Sequence, residues 1–471
     1  MNSFAVIALI VVVCVISVYL LCYLLSKARK LIKLLYKLSL NPCKALRDVG
    51  LVSSFQYGGQ MWFILNDFNS IIRALKRGNM CSGRPKLHFL QKWGGECGIA
   101  FIDGNMWEIH RKIATKSINR FLGDRAISTI RNECERLVQY IDDLQDNPVD
   151  CEILLMKAIA NITCDLVMRK RFGYDDSEFS DLIQRTILNQ SSRLLGGIIF
   201  FPMLQYAPFF RSSYVKFFST IDLIKNMFKK VIRQRTEEQQ NEIHPKCFVD
   251  YFLRDMPGVN TAEKENRLVQ CCFELFGAGT ETTATTLTWC ILGLVHFPLY
   301  QERILGEILD VTGHNELPTI HQIQEMHFTR AFIQEIMRYH PAAPITLRRT
   351  MSSFNLNKQN VNENSNVLVN IWAVHHDKDH FQNPGIFRPE RFLDSSSHFI
   401  VDHHVMPFSV GSRACPGFQL AKIEIALVLI SLLQSFQITS STKKSLTPFE
   451  ERTFGLVCCP KPFEVLFKRR L

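Results

Sequence analysis

The 471-residue sequence has no glycine-, serine- or proline-rich linker, no low-complexity tract and no internal repeat. Such segments separate domains or build repeat architectures, so their absence argues against a string of small domains. An apolar fraction of 47% with 35 phenylalanines is instead sufficient for one large buried core. We therefore expect most of the chain to form a single folded domain.

Cysteine is plentiful, but it has no pattern. The 15 cysteines include no C-x-x-C pair and no regular spacing, which argues against a disulfide framework and against a cysteine zinc site. This usage indicates reduced thiols on the cytosolic side of a membrane. The net charge of +11 is moderate and spread along the chain. It favours an acidic protein partner or an anionic membrane surface, and no feature calls for nucleic acid.

The N-terminal region combines an uncharged segment with a basic one. Residues 4–25 carry no charge and are long enough to cross a bilayer core of about 30 Å as a helix. Five lysines and arginines follow by residue 37, which predicts that the remainder of the chain is cytosolic. A cleaved signal peptide is the alternative, but the basic start and the small-residue cleavage site are missing. We predict a membrane anchor at 1–26, a basic linker at 27–50 and a folded domain at 51–471.

The segment 408–417 reads Phe-Ser-Val-Gly-Ser-Arg-Ala-Cys-Pro-Gly. Gly411 and Gly417 allow the backbone to bend tightly around Cys415, and an apolar helix is predicted directly after it. A cysteine at a helix N-terminus is near unpaired amide donors that favour thiolate over thiol, and Arg413 adds a nearby cation. The alternative is a buried cysteine with no chemical role, which is the common fate of a free cysteine.

The complete pattern F-x-x-G-x-R-x-C-x-G resembles the haem-binding signature of the cytochrome P-450 family. The resemblance implies that the protein binds haem b (iron protoporphyrin IX), with Cys415 as the axial thiolate ligand of the iron and with Phe408 and Arg413 beside the cofactor. It also implies a mainly α fold, in which a helical haem domain carries a small β-rich lobe and follows an N-terminal transmembrane helix.

A long apolar helix is predicted over 266–296, and its centre is unusual. The central residues 277–283 include two glycines and three threonines, which cost up to about 1 kcal/mol each relative to alanine in a helix. Threonine hydroxyls can also bond the carbonyl four residues earlier. A kinked core helix is the alternative. The segment Ala-Gly-Thr-Glu-Thr-Thr resembles the oxygen-handling A-G-x-[D/E]-T-[T/S] motif of the family, which implies that Thr282 and Glu281 deliver protons to dioxygen.

Trp107 and Arg111 lie at positions i and i+4 of a predicted helix, on one face. A surface cation packed on an aromatic ring would explain this pair by itself. The resemblance implies that both residues hold one haem propionate, since arginine pairs well with carboxylates. It also assigns one cation of the extended segment 344–349 to the second propionate. By register this is Arg349, with Arg348 as its near rival.

Two further motifs bear on the region that leads to the cysteine. Glu335 and Arg338 form an E-x-x-R pair, which by itself is usually an exposed ion pair of little energetic weight. Arg391 lies in a P-E-R-F segment. The resemblance implies that these three residues form a buried cluster with a structural role, because removal of one partner would strand a buried charge.

The resemblance also implies an enzyme that inserts one oxygen atom from O2 into a lipophilic small molecule at the endoplasmic reticulum membrane. Electrons would come from NADPH through NADPH–cytochrome P-450 reductase, with cytochrome b5 as a further partner, since Gly277-Ala-Gly279 lacks the third glycine and preceding strand of a nicotinamide site. Lys112, Lys116 and Arg120 would offer the reductase a basic face. By family position, the substrate cavity is lined by Phe89, Ile99, Phe101, Phe273, Phe276, Ala343, Ile345, Leu347 and Leu456.

Two other functions remain open at this point. A haem-thiolate isomerase or dehydratase needs no external electrons, but such relatives usually lack the Glu–Thr pair that is intact here. A non-catalytic, membrane-anchored haem protein is the second alternative.

Overall fold

The computed structural model of the protein describes residues 41–470 except 58, 77, 146, 193–194, 196–197, 200–201, 240–243, 257–260, 314–315 and 442–445. The predicted anchor and most of the predicted linker lie outside these residues. The chain divides into two units, 1–50 and 51–471. In the first unit, helix α1 (Pro42–Arg47) begins at Asn41, whose side chain accepts a hydrogen bond from the backbone of Lys44.

The second unit is mostly helical, as predicted, with small β-sheets. Its helices are α2 (Phe68–Leu75), α3 (His88–Gly94), α4 (Gly104–Phe121), α5 (Asp124–Asp143), α6 (Cys151–Met168), α7 (Ser177–Gln190), α8 (Pro208–Gln239), α9 (Phe248–Asp255), α10 (Thr261–His296), α11 (Pro298–Thr312), α12 (Ile320–Glu325), α13 (His327–Tyr339), α14 (Ile371–His375) and α15 (Phe418–Ser435). Short 3-10 turns occur at Pro202–Tyr206 and Pro389–Phe392.

The strands form one four-stranded sheet, one three-stranded sheet and two hairpins. They are β1 (Val52–Tyr57), β2 (Gln60–Leu65), β3 (Val149–Asp150), β4 (Ile345–Arg349), β5 (Phe354–Leu356), β6 (Gln359–Val361), β7 (Asn366–Asn370), β8 (Phe436–Ser440), β9 (Arg452–Phe454), β10 (Cys458–Pro460) and β11 (Glu464–Arg469). The larger sheet has the order β1-β2-β7-β4, and β2 and β7 are parallel. Every residue of β7 is buried, as expected for a central strand.

Helix α10 runs through the core and packs along α6, in which almost every residue is buried. The two helices approach closely at Gly279, where an added Cβ would lie 3.3 Å from the side chain of Thr163. Gly279 is therefore explained by helix packing.

Helix α15 is the one helix among the described residues that is long and apolar enough to cross a membrane. Its most apolar stretch is 56% buried inside the protein, and it packs against α5, α10 and α11. Glu424 on this helix is buried as well. The burial identifies α15 as a core helix of the domain, and it starts directly after the cysteine segment.

The cysteine segment 408–417 is a closed turn that rests on α2. The backbone N–H of Cys415 donates to the carbonyl of Phe408 at 2.9 Å. Gly411 has a φ of 82°, and a Cβ there would lie 2.1 Å from the carbonyl oxygen of Leu75. Gly417 has a φ of −95° with no atom near its Cβ position. Only the first of the two glycines is therefore required by the fold.

We predict that Gly411→Ala destabilises the protein by about 2 kcal/mol or more, because it combines a strained backbone with a clash against backbone. The matched variant Gly417→Ala should stay within about 1 kcal/mol of the wild type. Thermal unfolding of the haem-loaded proteins measures both effects. Equal stability of the two variants would contradict this account of the turn.

Candidate active site

Cys415 is a half-buried cysteine whose thiol has little help in losing its proton. Burial raises its pKa, while the backbone N–H of Gly417 and the guanidinium of Arg111 act in the opposite direction more weakly. Arg111 also donates to the carbonyl of Ala414 and so binds α4 to the cysteine turn. A metal cation at the sulfur would supply the missing stabilisation of the thiolate.

The expectation that Arg413 acts as the cation beside the sulfur was wrong. Its guanidinium donates to the carbonyls of Ser82 at 2.6 Å and Ile102 at 2.7 Å, and it contacts the carboxylate of Asp103 at 3.1 Å. The same group lies over the ring of Trp107, 3.7 Å from its centroid. Arg413 therefore joins the cysteine turn to the segment that precedes α4, and its charge points away from the thiol.

Four buried or half-buried arginines, Arg84, Arg111, Arg348 and Arg413, come together on this side of α4. Burial and the neighbouring guanidiniums lower the pKa of Arg413 to about 9. Burial also lowers the pKa of Arg84 to about 10, in spite of the nearby Asp103. For Arg348, burial followed by the charges of Arg84 and Arg413 places the pKa well below its usual range. The site has an excess of buried positive charge.

Two donors in this cluster are buried without a hydrogen-bond partner among the described residues, namely the indole Nε1 of Trp107 and the Nε of Arg348. Buried donors without partners are costly and usually mark a missing ligand. A dianionic group beside Trp107 would both neutralise the arginines and accept these hydrogen bonds. The residues present therefore fit the two propionates of haem b, whose iron would reach Cys415.

The predicted propionate cation Arg349 is occupied elsewhere. It contacts Asp103 at 2.6 Å and donates to Asn364 at 2.5 Å. Because successive side chains of a strand point to opposite faces, its neighbour Arg348 on β4 points into the arginine cluster and reaches Ser409 of the cysteine segment at 3.3 Å. These contacts favour Arg348, the near rival in the sequence analysis, over Arg349 as the propionate partner.

Arg84 was missed by the sequence interpretation. It donates to the carbonyl of Ala100 at 2.6 Å and to that of Leu347 at 2.6 Å. A single arginine in a loop has no recognisable sequence pattern, and only its long-range contacts place it in the cluster.

The centre of α10 has the threonine pattern that the sequence predicts. The hydroxyl of Thr282 donates to the carbonyl of Ala278 at 2.8 Å. The hydroxyl of Thr286 does the same to the carbonyl of Thr282 at 2.8 Å. Burial raises the pKa of Glu281 to about 8, so its carboxyl group is protonated at neutral pH. The helix therefore carries a protonated carboxyl group at the position directly before Thr282 in the sequence.

Glu274 precedes Glu281 on α10, and the sequence interpretation missed it as well. Its carboxylate accepts hydrogen bonds from the backbone of Ile99 at 2.5 Å and of Ala100 at 2.8 Å. Gly98 beside it has a φ of 126° and would clash with this carboxylate if it carried a side chain. Glu274 thus fixes the segment before α4 on α10. An acidic residue within the otherwise apolar stretch 271–276 was the available signal.

The structure brings Glu335, Arg338 and Arg391 together. Both oxygens of Glu335 accept from Arg338, at 2.6 and 2.8 Å, and Arg391 is 3.2 Å away. Arg338 also donates to the carbonyl of His375 at 2.8 Å, and the imidazole of His375 accepts from the backbone of Met406 at 2.8 Å. The cluster is thereby linked to the segment that leads into the cysteine turn.

The predicted cavity residues are apolar, and each of them is buried or half-buried. Phe89, Ile99, Phe273 and Phe276 belong to the main core, and Phe101, Leu347 and Leu456 pack against it. Ile345, the first residue of β4, is half-buried, and so is Ala343 just before the strand. Phe89 contacts Phe217 and Phe218 of α8, and Phe276 contacts Phe228 of the same helix. Their role as substrate contacts stays a prediction.

Comparisons with known proteins identify the family of the chain. The family model described as Cytochrome P450 matches residues 35–467. Cytochrome P450 2U1 of Homo sapiens is 30% identical, over 90% of this chain and 80% of its own length. Cytochrome P450 2C16 of Oryctolagus cuniculus is 30% identical, over 89% of this chain and 87% of its own. Cytochrome P450 2C29 of Mus musculus is 28% identical over the same shares.

We predict that Arg348→Gln speeds haem release by about 10-fold or more, because one charge-assisted hydrogen bond contributes roughly 1.5–3 kcal/mol. Arg349→Gln should change the release rate much less, since its guanidinium is bound to Asp103 and Asn364. Transfer of haem to excess apomyoglobin gives both rates. Faster release from the Arg349 variant than from the Arg348 variant would overturn the assignment.

Proposed function

The chain belongs to the cytochrome P450 family and is a haem-b-dependent monooxygenase, and we propose that it inserts one oxygen atom of O2 into a lipophilic small molecule with electrons from NADPH delivered by a reductase. The observation that carries the proposal is the protonated carboxyl group of Glu281 on α10, the residue directly before Thr282. Oxygen activation consumes protons in a site that excludes water, and this pair can supply them. An isomerase or dehydratase would have no use for such a proton source.

Cys415 would hold the iron, and the propionates would lie against Trp107, Arg111 and Arg348, with Arg84 and Arg413 behind them. Phe408 closes the turn that presents the sulfur, through its carbonyl bond to Cys415. When bound, haem b supplies the iron at which dioxygen is reduced, and the thiolate donates electron density that favours O–O cleavage. The protein residues orient the cofactor and neutralise its carboxylates.

Proton delivery depends on two groups of α10, the hydroxyl group of Thr282 and the carboxyl group of Glu281. In the resting structure, the hydrogen of Thr282 is bound to the carbonyl of Ala278. The oxygen of this hydroxyl can therefore accept a hydrogen bond, and it can pass on a proton once the hydroxyl rotates away from the carbonyl. Glu281 holds the replacement proton on its carboxyl group, because burial keeps it neutral.

The substrate is proposed to be lipophilic because the residues expected around the cavity are aromatic or aliphatic. Burial of a ligand against such side chains is driven by about 25 cal/mol per Å² of apolar surface removed from water. The expected lining residues carry no charge. Glu281 and the threonines of α10 are the polar groups that could contact a substrate. This argument supports a class of substrate and no individual compound.

A basic groove on α4 is the proposed docking site of the electron donor. The groove has a volume of about 660 Å³ and is lined by Arg111, Lys112 and Lys116, among others. It begins at Trp107, so it lies next to the proposed propionate site. Lys116 already contacts Asp255 of α9 at 2.7 Å. An acidic reductase, and cytochrome b5 as a further partner, would bring electrons close to the cofactor here.

Attachment to the endoplasmic reticulum membrane is proposed from the uncharged residues 4–25 and the basic residues after them, with the haem domain on the cytosolic face. Surface-exposed apolar side chains before and within α8 support a second membrane contact. Met203 is 76% exposed, Tyr206 is 66% exposed and Phe209 is 72% exposed. A cluster of this kind favours an apolar surface over water.

We predict that Thr282→Ala uncouples the enzyme. In a reconstituted mixture with reductase, NADPH and a lipophilic substrate, product formed per NADPH should fall about tenfold or more, and hydrogen peroxide should rise to match. Thr288→Ala is the control, because its hydroxyl makes the same 2.8 Å bond to Ala284 on the same helix, deeper in the core. Unchanged coupling in Thr282→Ala would contradict the monooxygenase mechanism.

The same assay has a pH arm. Glu281 has a folded-state pKa of about 8, so it carries its proton below that pH and loses it as the pH rises through it. Coupling of the wild type should therefore fall above about pH 8, and Glu281→Gln should be uncoupled at every pH. A wild type whose coupling is constant from pH 6.5 to 9 would exclude Glu281 as the proton donor.

A further inference from the structure

A cluster of two histidines and one aspartate lies on the surface outside the haem site. Nε2 of His380 is 2.7 Å from one carboxylate oxygen of Asp402, and Nδ1 of His404 is 3.3 Å from the other. All three potential ligand atoms lie within 4.8 Å of one another. His380 comes from the loop after α14, while Asp402 and His404 come from the segment that leads into the cysteine turn.

The three side chains are held in place before any ligand arrives. The ring of His404 is stacked between Phe68, at 4.0 Å between centroids, and His380, at 3.5 Å. Asp402 also accepts the backbone N–H of His404 at 2.8 Å. The backbone N–H of Val405 closes the same turn on the carbonyl of Asp402 at 3.1 Å. A site fixed in this way loses little conformational freedom when it binds.

We propose that His380, Asp402 and His404 bind one zinc ion, with a fourth coordination position open to water. Two imidazole nitrogens and one carboxylate oxygen are ligands that zinc accepts, and three protein ligands leave one tetrahedral position vacant. Ligand atoms about 2.0–2.2 Å from a tetrahedral zinc ion lie roughly 3.4 Å apart. The observed nitrogen–oxygen separations are close to this value, and the stacked rings of His380 and His404 have to tilt apart so that both nitrogen lone pairs point at one ion.

The same nitrogens can donate hydrogen bonds to Asp402 in the metal-free protein. Binding of the ion would require each imidazole to carry its hydrogen on the other ring nitrogen, without any net loss of protons. A pure hydrogen-bond role would need only one histidine, as in the pair His398–Asp394, whose atoms are 3.7 Å apart. Here two imidazoles contact one carboxylate, so three potential ligand groups lie within 4.8 Å of one another.

Occupancy of the site would join two segments that support the haem site. Residues 402–404 lie close before the cysteine turn, and Phe68, stacked on His404, begins α2. The other end of α2 supports Gly411 through Leu75. The ion would thus tie the loop of His380 to the chain that carries Cys415. A ligand at a hundredfold excess over its Kd should raise the unfolding temperature of a domain of this size by about 3 °C.

The test uses full-length holoprotein in detergent, without a polyhistidine tag. Zinc is titrated by calorimetry, and bound zinc per haem iron is counted by mass spectrometry after dialysis. His380→Gln, His404→Asn and Asp402→Asn each remove one ligand and keep a side chain of similar shape. Asp394→Asn is the matched control, because it removes the carboxylate of a surface pair that has only one histidine.

We expect one zinc ion per haem in the wild type and in Asp394→Asn, and at least 100-fold weaker binding in each of the three site variants. The rise in unfolding temperature with zinc should disappear in the same three variants. A wild type that binds no zinc would overturn the proposal, as would zinc binding that all three substitutions leave unchanged. Unfolding temperatures in chelator show that the variants fold, so weak binding cannot be attributed to misfolding.

Discussion

The proposed bond between the sulfur of Cys415 and the haem iron is the interaction on which the remainder of this site depends. The protein buries this thiol, which raises its pKa, and offers only an amide and Arg111 in compensation. Three contacts fix the turn around it. Gly411 packs against the end of α2, Arg111 of α4 donates to the turn, and Arg413 of the turn donates to the segment before α4. All of these contacts hold one sulfur atom in place, and the charge that would make it a thiolate has to come from the cofactor.

Burial also determines the charges of the other residues in the site. Burial lowers the pKa of all four arginines around Trp107, and neighbouring guanidiniums lower those of Arg84, Arg348 and Arg413 further. Such an arrangement is costly in the absence of an anion and favourable once two propionates are present. On the other side of the cofactor position, α10 keeps Glu281 neutral by burial. Positive charge at one edge of the haem and a stored proton on one face are both products of burial, acting on basic and acidic groups in opposite directions.

Local sequence patterns were enough for the features that depend on neighbouring residues. The cysteine turn, the threonine bonds of α10 and the Glu335–Arg338 pair are set by spacing of a few residues, and the structure contains them as predicted. Side-chain direction and long-range contact were not accessible. The choice between Arg348 and Arg349 depends on which face of β4 points inward. The contact of Arg413 with Asp103 joins residues that are far apart in the sequence.

Long-range contacts also explain two residues of α10. Gly279 packs against α6, and Glu274 accepts hydrogen bonds from the segment before α4. The histidine cluster was beyond sequence reasoning for a related cause. His380 and His404 are separated by a loop and the P-E-R-F turn, and only the packing on Phe68 brings their rings together.

The most direct test of the central claim is the Soret spectrum of the reduced, carbon-monoxide-bound protein, recorded for the wild type and for Cys415→Ser at equal haem content. The wild type should show the strongly red-shifted band of a thiolate-ligated haem, and the variant should lose it. A wild-type spectrum typical of histidine ligation, or an unchanged red-shifted band in Cys415→Ser, would contradict the account.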